Sequence, residues 1–165
     1  MWSNWAEIKD GTVIVHDDEV VNPNKDNATS SLRGWNANIT KVENNKAYVG
    51  DTLYGNIQTE KIKNGTSMFE HCTRLTTFDS DLSSLINGHG MFSTCNSLTS
   101  FTLDLPSLID GTGMFSGCTN LTSFPSDLRS LIDGSTMFRM CKGPTSFDSD
   151  LSSLTDGGLM FDSCK

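Results

Sequence analysis

The chain has 165 residues, 36% of them hydrophobic and 19% charged, which allows one compact domain or a short repeat array and argues against a large dense core. Its formal net charge is -8, and its 12 basic residues are scattered, so nucleic acid and anionic membrane surfaces are disfavoured as partners. No run approaches the roughly eighteen consecutive apolar residues that insert into a membrane, and the first residues lack the basic and apolar parts of a secretion signal, so the chain reads as soluble with no visible signal peptide.

Residues 1–56 read as a β-rich segment, distinct from the remainder of the chain in holding all three Trp and both Tyr. Thr12–Val15 and Glu19–Val21 flank His16-Asp17-Asp18 as two short strands about a turn, and residues 22–31 read as an exposed loop. Ile39–Val42 and Lys46–Val49 alternate as a hairpin would around Glu43-Asn44-Asn45, with Asn able to take the left-handed turn position. Trp2, Trp5 and Trp35 are the candidate attachment residues: they either cover the first turn of the array or dock onto another chain or a larger assembly.

From residue 57 the chain is a repeat. Met-Phe recurs at 68, 91, 114, 137 and 160, a spacing of 23 residues without insertion or deletion. The same phase carries all five cysteines, Cys72, Cys95, Cys118, Cys141 and Cys164, and then Leu75, Leu98 and Leu121, with Pro144 breaking the series. Phe78, Phe101, Phe124 and Phe147 come next, and each repeat closes on Asn-Gly or Asp-Gly. Segments 91–113 and 114–136 match at fifteen of 23 positions, and their differences fall between the apolar anchors. A degenerate half-repeat begins near Ile57, because Ile62 holds the phase of Leu85 and Asn64-Gly65 that of Asn87-Gly88. At the other end, Cys164-Lys165 stops one residue past a repeat's Cys and leaves an open coil edge: either a further stretch has been cut away, or self-association or a partner covers that edge.

Within one repeat, Leu98-Thr99-Ser100-Phe101-Thr102-Leu103 has the alternation of a short strand with Ser100 and Thr102 outward. Leu105 to Ile109 is a second short apolar segment, ended at Asp110-Gly111, where Gly would supply the positive φ of a tight turn. Met114-Phe115-x-x-Cys118 has the spacing of one face of a single helical turn. Stacked at about 4.8 Å per strand, such units lay like residue over like.

Chemistry is sparse. The cysteines form no C-x-x-C pair and have no His at a ligand spacing, which points to buried thiols acting as apolar fillers rather than to zinc or any other metal. Two acidic rows, Asp81, Asp104, Asp127 and Asp150, and Asn87, Asp110, Asp133 and Asp156, fit turn and corner hydrogen bonding better than a calcium loop. There is no G-x-S-x-G elbow, and His71 beside Cys72 puts the two side chains in different directions. No catalytic residue, metal or cofactor is expected, and the chain is read as a non-enzyme.

The unit Cys-x-x-Leu-Thr-Ser-Phe, followed by Leu-x-x-Leu-x-x-Gly-x-x-Met-Phe-x-x-Cys, resembles the 23-residue BspA-like class of bacterial leucine-rich repeats over residues 57–165, with Met-Phe for the usual Ala-Phe. The resemblance implies an α/β repeat solenoid, a right-handed coil with one short parallel strand and one helical turn per repeat, here behind a small N-terminal β cap. It also implies a surface-exposed, extracellular or virion-associated module that binds a protein or glycan partner in adhesion or recognition. By strand alternation the candidate binding surface is Thr77, Asp79, Ser100, Thr102, Ser123, Pro125, Ser146 and Asp148. The competing expectation is structural: a spacer or decoration protein of a surface layer or virus particle, docked through its N-terminal segment.

Overall fold

A computed structural model of the protein describes residues 5–9, 12–16, 38–125, 127–143 and 147–165, the first two segments by their backbone. Six strands form one mixed sheet: β1 (Trp5–Lys9), β2 (Thr12–His16), β3 (Lys41–Glu43), β4 (Lys46–Val49), β5 (Thr52–Ile57) and β6 (Thr77–Asp79), in the spatial order β1-β2-β5-β4-β3-β6. Neighbours are antiparallel except β2 with β5 and β3 with β6, which are parallel. The expected strand at Thr12–Val15 is β2, which pairs with β1 and β5. Glu19–Val21, the 22–31 loop, Trp2 and Trp35 lie outside the described residues, and Trp5 is described only as a backbone position on β1.

The β3–β4 hairpin forms as its alternation implies. Asn44 and Asn45 have φ of 51° and 59°, the doubly left-handed turn whose twist matches the flanking strands. β3 then lies beside β6 with Val42 opposite Phe78, and the Thr76 N–H donates to the Thr40 carbonyl at 2.8 Å. The same bond recurs between repeats, from Thr122 N–H to the Thr99 carbonyl at 3.0 Å, so β3 fills the place a preceding strand would hold. Val42, Ala47 and Ile57 are buried in the same core as the repeats.

From Asn64 onward the backbone repeats every 23 residues. Asn64, Asn87, Asp110, Asp133 and Asp156 make successive parallel bridges, each with its equivalent in the next repeat. Ring stacking keeps the same period: Phe69, Phe92, Phe115, Phe138 and Phe161 lie face to face with centroids 5.4, 5.5, 5.7 and 5.6 Å apart. The second phenylalanine row meets this one mainly edge-on, as in Phe78 against Phe92 at 4.9 Å and Phe101 against Phe115 at 4.8 Å. Edge-to-face and offset arrangements suit the ring quadrupole and add to the burial itself.

Two local expectations are corrected. Among the described residues of the repeats a regular strand forms only at β6; the later repeats keep single bridges such as Ser100 with Ser123. There the ladder bonds are widely spaced, Phe101 N–H to the Ser123 carbonyl and Leu105 N–H to the Asp127 carbonyl, and Pro125 brings no N–H at all. The helical turn at Met-Phe-x-x-Cys is absent, and the single helix among the described residues is a 3-10 turn at Thr59–Lys61. Instead, alternate amides reach across to the next repeat. Gly88, Gly90, Phe92 and Thr94 donate to the carbonyls of Asp110, Thr112, Met114 and Ser116 at 2.8–2.9 Å, while Met91, Ser93 and Cys95 donate three residues back. This alternation requires two left-handed residues per repeat, at Ser67, Gly90, Gly113, Thr136 and Leu159 and again at His71, Thr94, Gly117, Met140 and Ser163. Each non-glycine there costs about 1–2 kcal/mol, and the cross-repeat bonds offset it.

Gly111 is not among the positive-φ residues, so the expected turn role is also corrected. A β-carbon at Gly111 would lie 3.0 Å from Met137 Sδ, and the glycine serves close packing.

Candidate recognition surface

Each repeat is locked by side chains that hydrogen-bond backbone. In the Asn-Gly and Asp-Gly row, a side-chain Oδ1 accepts the N–H two residues on: His89 to Asn87, Thr112 to Asp110, Ser135 to Asp133 and Gly158 to Asp156, all at 2.9 Å. In the other acidic row, Asp81 and Asp150 accept from Ser83 and Ser152 at 2.8 and 2.9 Å. These bonds hold the carboxyls of Asp133 and Asp150 below the usual range, the Ser135 and Ser152 backbone N–H groups being the main cause. Asp127 is lowered chiefly by the Arg129 guanidinium that grips it, and Arg129 is in turn raised by Asp127 and, more weakly, by Asp150 and Asp104. Among the described residues no group of three or more His, Cys, Asp or Glu is placed to hold a metal ion.

None of the five cysteines is in a disulfide, and four of them are buried. The thiols of Cys95, Cys118, Cys141 and Cys164 donate to the carbonyls of Phe69, Phe92, Phe115 and Phe138 at 3.1–3.3 Å, one repeat back. Burial pushes the Cys118 thiol up to about 12, the opposite of an activated nucleophile. His71 points outward beside Glu70, away from buried Cys72.

The predicted strand-face residues are partly brought together. Thr77 and Asp79 are exposed on β6, Ser100 and Thr102 are exposed in the next repeat, and Ser123, bridged to Ser100, is half-buried. Asp148 is exposed and Ser146 lies outside the described residues. Pro125 is buried, against expectation; the Ser149 hydroxyl of the next repeat donates to its carbonyl. Sequence reasoning missed that β3 extends this face, with Lys41 beside Thr77 and Glu43 beside Asp79. Lys41 pairs with Glu43 at 3.1 Å and sits 4.6 Å from the Tyr48 ring centroid, so a cation lies over the Tyr48 ring on this face.

It also missed Asn45. Its backbone N–H donates to buried Ser80 Oγ at 2.9 Å, its Oδ1 accepts from Thr59 Oγ1 at 2.8 Å, and its Nδ2 donates to Glu60 at 3.0 Å. The adjacent Asn44 N–H donates to the Asp79 carbonyl. This clamp fixes the hairpin turn against the first repeats and leaves a groove of about 690 Å³ between them. Asp79, Asp81 and Asp104 bring carboxylates to the groove, and Leu103 and Pro106 give it an apolar wall. A preformed concavity of this size with converging polar groups and an apolar wall fits a sugar unit or a basic side chain. The only forewarning in the sequence was the Asn44-Asn45 pair.

Among the described residues no helix is long and apolar enough to cross a membrane. Comparison with known proteins gave no matching family model, no similar curated protein and no solved structure of matching fold.

Proposed function

We propose that the protein is a short right-handed leucine-rich-repeat solenoid of the BspA-like class that recognises a protein or glycan partner without catalysis. The observation that carries the reading is the continuity of Lys41, Thr77, Asp79, Ser100 and Thr102 with the acidic groove at Asp79, Asp81 and Asp104. The scaffold beneath is fixed by backbone ladders, so small polar side chains meet a ligand with little ordering cost. Few large anchors stand on this face, which favours glycans or weak multivalent protein contacts. A glycan and matrix-protein binding screen tests it. Thr77→Arg and Ser100→Arg should abolish whatever binding is found. Binding that survives both substitutions but is lost on removing residues 1–37 would support docking through the N-terminal segment instead, as for a spacer or decoration protein.

A further inference from the structure

The acidic row of the repeats has a different residue two positions on in successive repeats. Asp81, Asp104, Asp127 and Asp150 are followed there by Ser83, Pro106, Arg129 and Ser152. Ser83, Arg129 and Ser152 each donate a backbone N–H to the aspartate before them, at 2.8, 3.2 and 2.9 Å, whereas Pro106 has no N–H to give. This row already holds one guanidinium. Arg129 Nε donates to both carboxylate oxygens of Asp127, at 2.8 and 3.0 Å, and Nη2 donates to Oδ2 as well. Its protonated form is favoured first by Asp127 and then by Asp150 and Asp104 in the flanking repeats.

Towards the hairpin the same row opens into the groove. Asp81 and Asp104 line it together with Asp79, all three exposed, and among the described residues that line it there is no Lys or Arg. Equivalent carboxylates in successive repeats stand about 5 Å apart and repel, which a cation held between them relieves and a neutral sugar does not. Leu103 and Pro106 supply an apolar wall along which a three-carbon stem can lie. The opposite wall at Asn45 is fixed by its bonds to Ser80, Thr59 and Glu60, so the concavity exists before a ligand enters it. At about 690 Å³ it has room for flanking peptide beside one side chain. A planar guanidinium meets carboxylates through paired donors, as Arg129 does, where an ammonium offers only a point charge. Of the described arginines, Arg129 and Arg139 are engaged by Asp127 and Asp162, and none lines the groove.

We propose that the groove takes an arginine side chain of a partner polypeptide, its guanidinium held by Asp81 and Asp104 as Arg129 is held by Asp127, and its stem against Leu103 and Pro106. The site rests on the recognition face proposed above and makes the partner a protein with an exposed arginine rather than a glycan. The large anchor that the face itself lacks then comes from the partner.

The test titrates isotope-labelled full-length chain with the capped peptide Gly-Ser-Arg-Ser-Gly, with its lysine and citrulline counterparts, and with chitotriose. The arginine peptide should shift the amides of Ser80, Asp81, Leu103 and Asp104 saturably. The lysine peptide should bind about tenfold more weakly, and the citrulline peptide, which keeps the shape and loses the charge, should not bind. Asp81→Asn retains an oxygen for the Ser83 N–H and Asp104→Asn retains the shape, so both variants should fold. Each should weaken the arginine peptide by about tenfold or more, while Asp150→Asn, in the same row outside the groove, should leave it within about twofold. Equal binding by the citrulline peptide, unchanged affinity in both groove variants, or groove shifts with chitotriose alone would overturn the site. Binding that emerges only in Arg33→Gln would overturn it too, in favour of an arginine of the chain itself. A screened ligand that Thr77→Arg releases but that Asp81→Asn and Asp104→Asn bind unchanged would keep strand-face recognition and remove only the arginine site. A chain that binds no peptide, glycan or matrix protein would remove both.

Discussion

The sulfur of Met114 occupies the space a side chain on Gly88 would need: a β-carbon there would lie 2.9 Å from Met114 Sδ. The glycine of each repeat is thus a hole and the methionine of the following repeat its knob. Gly88→Ala should destabilise the protein by about 1–3 kcal/mol, because Met114 is fully buried and has little room to yield. Gly157→Ala, which meets no methionine from a following repeat, should cost clearly less. Urea unfolding of both variants checks this, and equal losses would mean that the glycines serve the backbone instead.

The aromatic row gives a second contrast within one protein. Phe115 is fully buried between Phe92 and Phe138, so Phe115→Ala should cost about 3–5 kcal/mol. Phe161→Ala should cost less than half as much, since that ring is stacked on one side and remains partly exposed. Thermal and urea melts read both.

How far the sequence disclosed this structure depends on which property is asked. The 23-residue period placed Phe69, Cys72, Leu75, Phe78, Leu82 and Leu85 in the core, because burial tracks hydrophobic identity directly. Backbone conformation was not legible at Met-Phe-x-x-Cys: three- to four-residue spacing fits a helical turn, yet left-handed residues there include Thr94, Thr136, Met140 and Leu159, which carry no signature of that conformation. The prominent glycines misled in the opposite sense, since Gly88 and Gly111 answer to methionine packing across repeats rather than to turn geometry. The groove escaped because Asn45, Ser80 and Thr59 are distant in sequence and meet only through the hairpin clamp.

Asp133 tests the role of the acidic row. Its Oδ1 accepts the Ser135 N–H, a bond that asparagine makes equally at positions 64 and 87. Asp133→Asn should leave stability at pH 7 within about 0.5 kcal/mol, whereas Asp133→Ala should lose about 1 kcal/mol with the bond. The folded carboxyl titrates below its ordinary value, so its contribution is present above about pH 4 and is lost as pH falls through the lower folded value. The acid limb of the stability–pH profile should therefore be shallower for Asp133→Asn, and an unchanged limb would remove Asp133 from it.

The thiols act at the other end of the pH scale. Cys118 rises from an ordinary 9.0 to about 12 through burial, Cys141 is raised by the same cause, and Cys95 is raised first by its hydrogen bond with Cys72 and then by burial. The unfolded thiols ionise first, so their contribution is intact below about pH 9 and is progressively lost from there towards 12. Denaturation midpoints should be flat from pH 7 to 8.5 and fall above it. Alkylation at pH 8 followed by mass spectrometry should label the half-buried Cys164 first and leave Cys72, Cys95, Cys118 and Cys141 unmodified until unfolding. Early labelling of Cys118 would contradict the buried thiol row.

The most direct test of like-over-like stacking is a set of ring-to-ring nuclear Overhauser contacts in a sample with residue-assigned phenylalanines. Phe115 should show contacts to both Phe92 and Phe138, at the 5.5 and 5.7 Å centroid spacings, and Phe138 to both Phe115 and Phe161. Contacts that skip a repeat, or that join these rings in antiparallel order, would contradict the account.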